Sequence, residues 1–253
     1  MSIKKETVND SLTLLSRTEG LTFGTDALLL AAYMPSGYAR AIEYGAGTGI
    51  ISMLALNRNK IERVDALEVQ AAYAALIEEN AKENGLCDRL RGVCTDLRDY
   101  TSECVDLIYT NPPYMKTTSG KHNENDEKTV ARHEVFGTID DFLACAKVHL
   151  RWGGDFFAVY RPDRLCDLIA AMRTHGIEPK RMTLVHADAE SEPSMMLIEG
   201  RRGGKGGMTV TPPLLLYKDR SHSEYGEDMR EILETGYFPA RFDVRRKEKR
   251  KKG

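Results

Sequence analysis

The sequence has no Cys-x-x-Cys spacing, no Gly-Lys-Ser or Gly-Lys-Thr phosphate loop, and no apolar run long enough to span a bilayer. These absences speak against a zinc ribbon or dithiol centre, a P-loop triphosphatase and a helical membrane protein, respectively. Cysteine is scarce. Cys87, Cys94, Cys104, Cys145 and Cys166 are an odd number set mostly in apolar segments, which reads as reduced, packed thiols and supports neither a disulfide framework nor a metal site. The N-terminal Met-Ser-Ile-Lys-Lys-Glu lacks the apolar stretch of a signal peptide, so the expected location is the cytoplasm, with no membrane attachment.

What is present suffices for one core: 253 residues, 42% hydrophobic and 29% charged, are expected to form a single domain over residues 1–240. Charge is unevenly spread. Residues 241–253 hold eight Lys and Arg against two acids, so a net −2 divides into +6 there and −8 for the rest. The tail is expected to be flexible, and a nucleic-acid contact and a merely solvated end are both open.

Along the chain, strand-like and helix-like stretches alternate. The apolar run Ala27 to Ala32 reads as a helix with Asp26 as its N-cap. Ala41 to Tyr44 is a strand running into Gly45-Ala46-Gly47-Thr48-Gly49 and a helix over 50–57. Val64 to Glu68 is a second strand, followed by a helix over 71–84. Arg91 to Cys94, Val105 to Tyr109 and Asp155 to Tyr160 are three more strands, with a helix over 139–150 before the last. This alternation predicts an α/β fold, a mostly parallel sheet with helices on both faces. Met182 to His186 and Ser194 to Glu199 are joined by too short a link for a crossover helix, so the sheet should end in an antiparallel hairpin. Lys116 to Lys128 and Gly200 to Gly207 read as irregular.

The chemistry concentrates at strand ends. Gly45, Gly47 and Gly49 sit where a strand meets a helix N-terminus, and glycine there permits a tight turn and close approach of a ligand. Glu68 ends the second strand, where a carboxylate can accept both hydroxyls of a ribose. Glu43 ends the first and Asp96 follows the third. A ribose clamp, a carboxylate for a methionyl ammonium and an acceptor for an adenine amino group are what S-adenosylmethionine requires.

Asn111-Pro112-Pro113-Tyr114 follows the fourth strand. The amino nitrogen of adenine or of a glutamine amide is a poor nucleophile, because its lone pair is delocalised. The Asn111 side-chain carbonyl and the Pro112 main-chain carbonyl can each take one N–H, which positions the nitrogen and favours charge developing on it. Pro112 and Pro113 fix φ, presenting those carbonyls rigidly, and Tyr114 offers a face on which a planar base can stack.

Glu43 to Gly49, Glu68, Asp96 and Asn111 to Tyr114 resemble the motifs of class I amino-nitrogen methyltransferases. Phe23 to Ala31, Asn111 to Lys116, Gly120 to Asn125 and Ala131 to Glu134 are more narrowly similar to the bacterial tRNA1(Val) (adenine(37)-N6)-methyltransferase family, a likeness running to about Tyr217. The resemblance implies a Rossmann-like, seven-stranded sheet, S-adenosylmethionine as methyl donor and an adenosine beside a tRNA anticodon as target. Carried over residue by residue, Glu43, Gly45, Gly47, Gly49, Glu68, Asp96 and Asn111 lie at the cofactor and Asn111 to Tyr114 hold the base. Thr25 and Asp26, in a helical extension over residues 1–40, close over the cofactor. RNA contacts are expected from Lys116, Lys121, Arg132, Arg201, Arg202 and Lys205 around the mouth. The Asn-Pro-Pro-Tyr turn by itself leaves open the glutamine N5-methyltransferases of peptide release factors and the rRNA or DNA amino-methyltransferases; a non-catalytic RNA-binding factor is the reading from another class. The sequence leaves the oligomeric state open.

Overall fold

The computed structural model describes residues 3–18, 24–112 and 137–243. Its centre is a sheet ordered β10-β8-β9-β7-β6-β3-β4-β5, with β11 beside β8. Seven strands are long: β3 (Tyr38–Tyr44), β4 (Ile61–Glu68), β5 (Leu90–Cys94), β6 (Val105–Thr110), β7 (Leu150–Tyr160), β8 (Ile177–His186) and β9 (Pro193–Arg202). The other two, β10 (Thr209–Val210) and β11 (Leu214–Leu215), are two-residue additions along β8. Among these, β9 alone runs against its neighbours, closing the expected hairpin with β8.

Both faces of the sheet are covered because its strands are apolar on both sides. Ala41, Ala66, Tyr109 and Phe157 pack under α1 (Thr25–Tyr33), α2 (Ile50–Asn57) and α3 (Ala71–Glu83). Ile42, Leu67, Ile108 and Phe156 pack under α4 (Ile139–His149) and α5 (Leu165–Thr174). A last helix, α6 (Glu227–Thr235), returns to the first face through Met229 and Ile232. Helix α4 begins on a capping box, in which the Thr138 hydroxyl accepts the Asp141 N–H and the Asp141 carboxylate accepts the Thr138 N–H. No described helix is long and apolar enough to cross a membrane.

The N-terminal extension differs from the helical expectation. It is a hairpin, β1 (Ile3–Asn9) with β2 (Leu12–Arg17), followed by α1. Leu12, Leu14 and Ser16 are buried and alternate with less buried residues, which is strand periodicity. The free edge of β2 is met by two asparagines one helical turn apart on α3. Asn84 accepts the Thr13 N–H and donates to the Thr13 carbonyl, both at 2.8 Å, and Asn80 does the same for Leu15 at 2.7 and 3.0 Å. Two strand residues advance about 6.8 Å and four helical residues about 6 Å, so the spacings match.

Two other expectations change. Asp26 is not the N-cap of α1; that position is Gly24, and Asp26 lies inside the first turn. The cysteines are not packed: Cys87, Cys94, Cys104 and Cys166 are exposed and Cys145 is half-buried, although all five are free thiols. The four exposed ones sit at or just beyond strand and helix ends, where an apolar neighbour in sequence does not imply burial, and Cys145 lies within α4.

The far end of α1 is closed by a buried lysine. Lys60, 1% exposed, donates to the carbonyls of Ala31, Ala32 and Met34 at 2.8, 3.0 and 2.8 Å. Its ammonium lies 4.1 Å from the centre of the Tyr237 ring. Burial, with Arg58 and Arg181 nearby, pushes it down to about 7.

Candidate active site

From β3 the chain passes to β4 and β5 on one side, then returns to β6 on the other. That reversal opens a crevice at the carboxyl ends of β3 and β6, the place where open α/β sheets bind ligands. Tyr44 is in register with Thr110, so Gly45 and Asn111 are the next residues on neighbouring strands. The Thr110 hydroxyl donates to the Tyr44 carbonyl at 3.0 Å and fixes that junction.

The glycine loop leaves β3 with φ of 65° at Gly45, 56° at Gly47 and 78° at Gly49, the left-handed region that favours glycine. Among the described residues, none other than its two chain neighbours comes within 4 Å of where a Gly45 Cβ would stand, which leaves room there for an approaching group. Glu68, buried at the end of β4, holds the loop in shape: Oε2 accepts the Gly47 N–H and Oε1 the Gln70 N–H, both at 2.9 Å. Asn80 supports it from behind, donating to the Thr48 carbonyl at 3.0 Å.

Glu43 is 1% exposed and faces the start of α2, where Oε2 accepts the Ser52 N–H at 3.2 Å and the Ser52 hydroxyl. Ser52 Oγ is in turn 2.6 Å from the Tyr109 hydroxyl. Burial, reinforced by the nearby Glu68, pushes the Glu43 carboxyl up to about 8. Its side chain serves as a buried brace between β3 and α2. The folded protein holds this proton while the unfolded chain releases it near 4.5, so this group's contribution to stability is lost as pH rises from about 4.5 through 8. Glu43→Gln should flatten that slope in denaturant titrations at pH 5 and pH 8; an unchanged slope would disprove the assignment.

Asp96 stands on the rim after β5, where Arg98 takes it in a two-point ion pair, Nε to Oδ1 at 2.8 Å and Nη2 to Oδ2 at 2.5 Å. Hydrogen bonding from Arg98 holds its carboxyl below the usual range. Asn111, half-buried at the end of β6, donates from Nδ2 to Asp26 Oδ2 at 2.8 Å. Thr25 is exposed at the first position of α1. The crevice thus gathers Asp26, Gly45, Gly47, Glu68, Asp96 and Asn111, with Pro112 buried beside them. Pro113, Tyr114, Lys116, Lys121 and Arg132 lie outside the described residues, as does the tail after Asp243.

Arg201, Arg202 and Lys205 are not at the mouth. Because β9 runs backwards, Arg201 pairs in register with Asp155, which is level with Leu107 near the start of β6, whereas Met196 pairs with Tyr160 at the carboxyl end of β7. Five strand residues separate the two ends, about 17 Å. Arg201 is ion-paired to Asp155 at 2.9 Å, and Arg202 donates to the Leu150 carbonyl. The residues missed by sequence reading are Ser52, Asn80, Arg98 and Tyr109; Ser52 and Asn80, polar residues on otherwise apolar helix faces, were the available signals.

The family model of the methyltransferase small domain matches residues 18–169, from the end of β2 through the glycine loop, the rim and β6 into α5. The chain belongs to that family. This methyltransferase is 30% identical over 189 residues to a Porphyromonas gingivalis protein named tRNA1(Val) (adenine(37)-N6)-methyltransferase, covering 70% of this chain and 73% of the relative. A Dyadobacter fermentans protein of the same name is 25% identical over 217 residues, covering 85% and 89%. The fold is shared with a predicted O-methyltransferase structure from Agrobacterium tumefaciens, with a TM-score of 0.69 at 20% identity over 85% of this chain and 98% of the other.

Proposed function

We propose that this methyltransferase transfers a methyl group from S-adenosylmethionine to the exocyclic N6 of an adenine in tRNA, adenine 37 of tRNA1(Val), acting in the cytoplasm. The observation that carries the reading is the placement of Asn111 beside the glycine loop at the crevice, with its carboxamide held by Asp26.

The rim fits the cofactor. A carboxylate has about four lone-pair sites, and the two N–H groups on Glu68 leave one on each oxygen for a pair of ribose hydroxyls. Gly45 and Gly47 would give the backbone close approach, and Asp96 would accept an adenine amino group. Bound S-adenosylmethionine supplies an electrophilic methyl on a sulfonium. The protein's part is to hold the target nitrogen: Asn111 Oδ1 and the Pro112 carbonyl each accept one N–H, and Tyr114 stacks on the base. As the nitrogen gains positive charge these acceptors bind it more strongly, and no strong base is required. An anticodon-loop adenine can be turned out of its stack to enter such a crevice. Lys116, Lys121 and Arg132, which follow Asn111 in the chain, are assigned to RNA phosphates.

The test is incubation with radiolabelled S-adenosylmethionine and, separately, total tRNA, rRNA and a peptide release factor, followed by nucleoside analysis. N6-methyladenosine in tRNA is expected. Label only in the release factor would overturn the reading.

A further inference from the structure

We propose that Asp26 is the positioning residue that decides which end of the Asn111 carboxamide faces the substrate nitrogen. This rests on the reading of Asn111 as an acceptor of an amino N–H. A side-chain amide carries a donor end and an acceptor end of nearly the same shape, interchanged by a half-turn about its last bond. Nothing in an Asn-Pro-Pro-Tyr turn alone selects between them. With the amide turned the wrong way, a donor would meet the N–H groups of the substrate.

Asp26 makes the selection. Both of its oxygens act as acceptors: Oδ1 takes the Ala27 N–H at 2.9 Å, and Oδ2 takes Asn111 Nδ2 at 2.8 Å. The half-turn would set two oxygens against each other at hydrogen-bond distance with no proton between them. Nδ2 is thereby committed to Asp26, and Oδ1 is directed the other way. The chain keeps room for the carboxylate at Gly24, where a Cβ would stand 2.5 Å from Asp26 Oδ1. Asp26 comes from the first turn of α1 and Asn111 from the end of β6, so the pair also ties the N-terminal segment to the crevice. Asp26 acts here through Asn111, on the base-binding side.

The experiment measures kcat with tRNA, and S-adenosylmethionine binding by calorimetry, for the wild type, Asp26→Asn, Asn111→Ala and the double variant. An asparagine at 26 satisfies either orientation of Asn111. Asp26→Asn should therefore lower kcat roughly 10- to 100-fold while leaving cofactor affinity within about threefold. In the Asn111→Ala background the same change should cost nothing further, because there is no amide left to orient. Gly24→Ala, which displaces the carboxylate without removing it, should give the same selective loss of kcat. Equal losses from Asp26→Asn in both backgrounds, or a loss explained by weaker cofactor binding, overturn the proposal while leaving the proposed function intact. A wild type that methylates no tRNA overturns both.

Discussion

Asn111→Ala is expected to lower kcat for tRNA methylation about 10²- to 10³-fold, the usual cost of deleting one preorganised polar group aimed at developing charge. The loss should fall on kcat because the interaction strengthens as the amino nitrogen becomes cationic and contributes little to binding the neutral base. Cofactor affinity should hold, since Glu68 and the glycine loop, to which the cofactor is assigned, belong to β3 and β4 and their following turns, not to Asn111. Single-turnover rates at saturating S-adenosylmethionine and tRNA, with cofactor binding measured alongside, provide the check. A variant retaining full turnover would remove Asn111 from the chemistry. Folding should be little changed, because Asn111 is only half-buried and the strand end is fixed separately by Thr110.

Glu68→Gln should weaken S-adenosylmethionine binding by roughly 10²- to 10³-fold. Both carboxylate oxygens accept main-chain N–H groups, from Gly47 and Gln70. An amide has one oxygen, so its NH2 end must face one of those donors. The variant loses one of two charge-assisted bonds, worth about 1.5–3 kcal/mol each, leaves a donor opposed by a donor, and offers the ribose a single acceptor. Loop and ligand site fail together, because the side chain that would grip the ribose also shapes the glycine turn. Calorimetric titration gives the affinity, and a change of less than about threefold, or roughly 0.65 kcal/mol, would show that Glu68 does not hold the cofactor.

The alternation of strands and helices was readable because it depends on local periodicity, and the rim residues because each ends or closely follows a strand. The β1–β2 hairpin was not. Its edge is satisfied by Asn80 and Asn84, more than sixty residues away, and an expectation built on the Ala27 to Ala32 helix extended helix too far. Glu43 was read as a carboxylate for an ammonium. In the structure it is buried against Ser52 and braces β3 to α2, with Ser52 nine residues on as the missed clue. The placement of Arg201 was deducible: once the terminal hairpin is antiparallel, the end of β9 lies at the opposite edge from the carboxyl ends of the parallel strands. The bond between Asp26 and Asn111 spans 85 residues and had no local signature.

Helix α1 joins two environments that sequence keeps apart. Its nine residues make a rod about 13 Å long, with the carboxylate that meets Asn111 at one tip and three carbonyls gripped by Lys60 at the other. The Lys60 grip pins the far tip of that rod to the residue just before β4, while the near tip is pinned to the end of β6 through Asp26 and Asn111. One short helix thereby fastens the start of β4 to the end of β6, two strands on either side of β3.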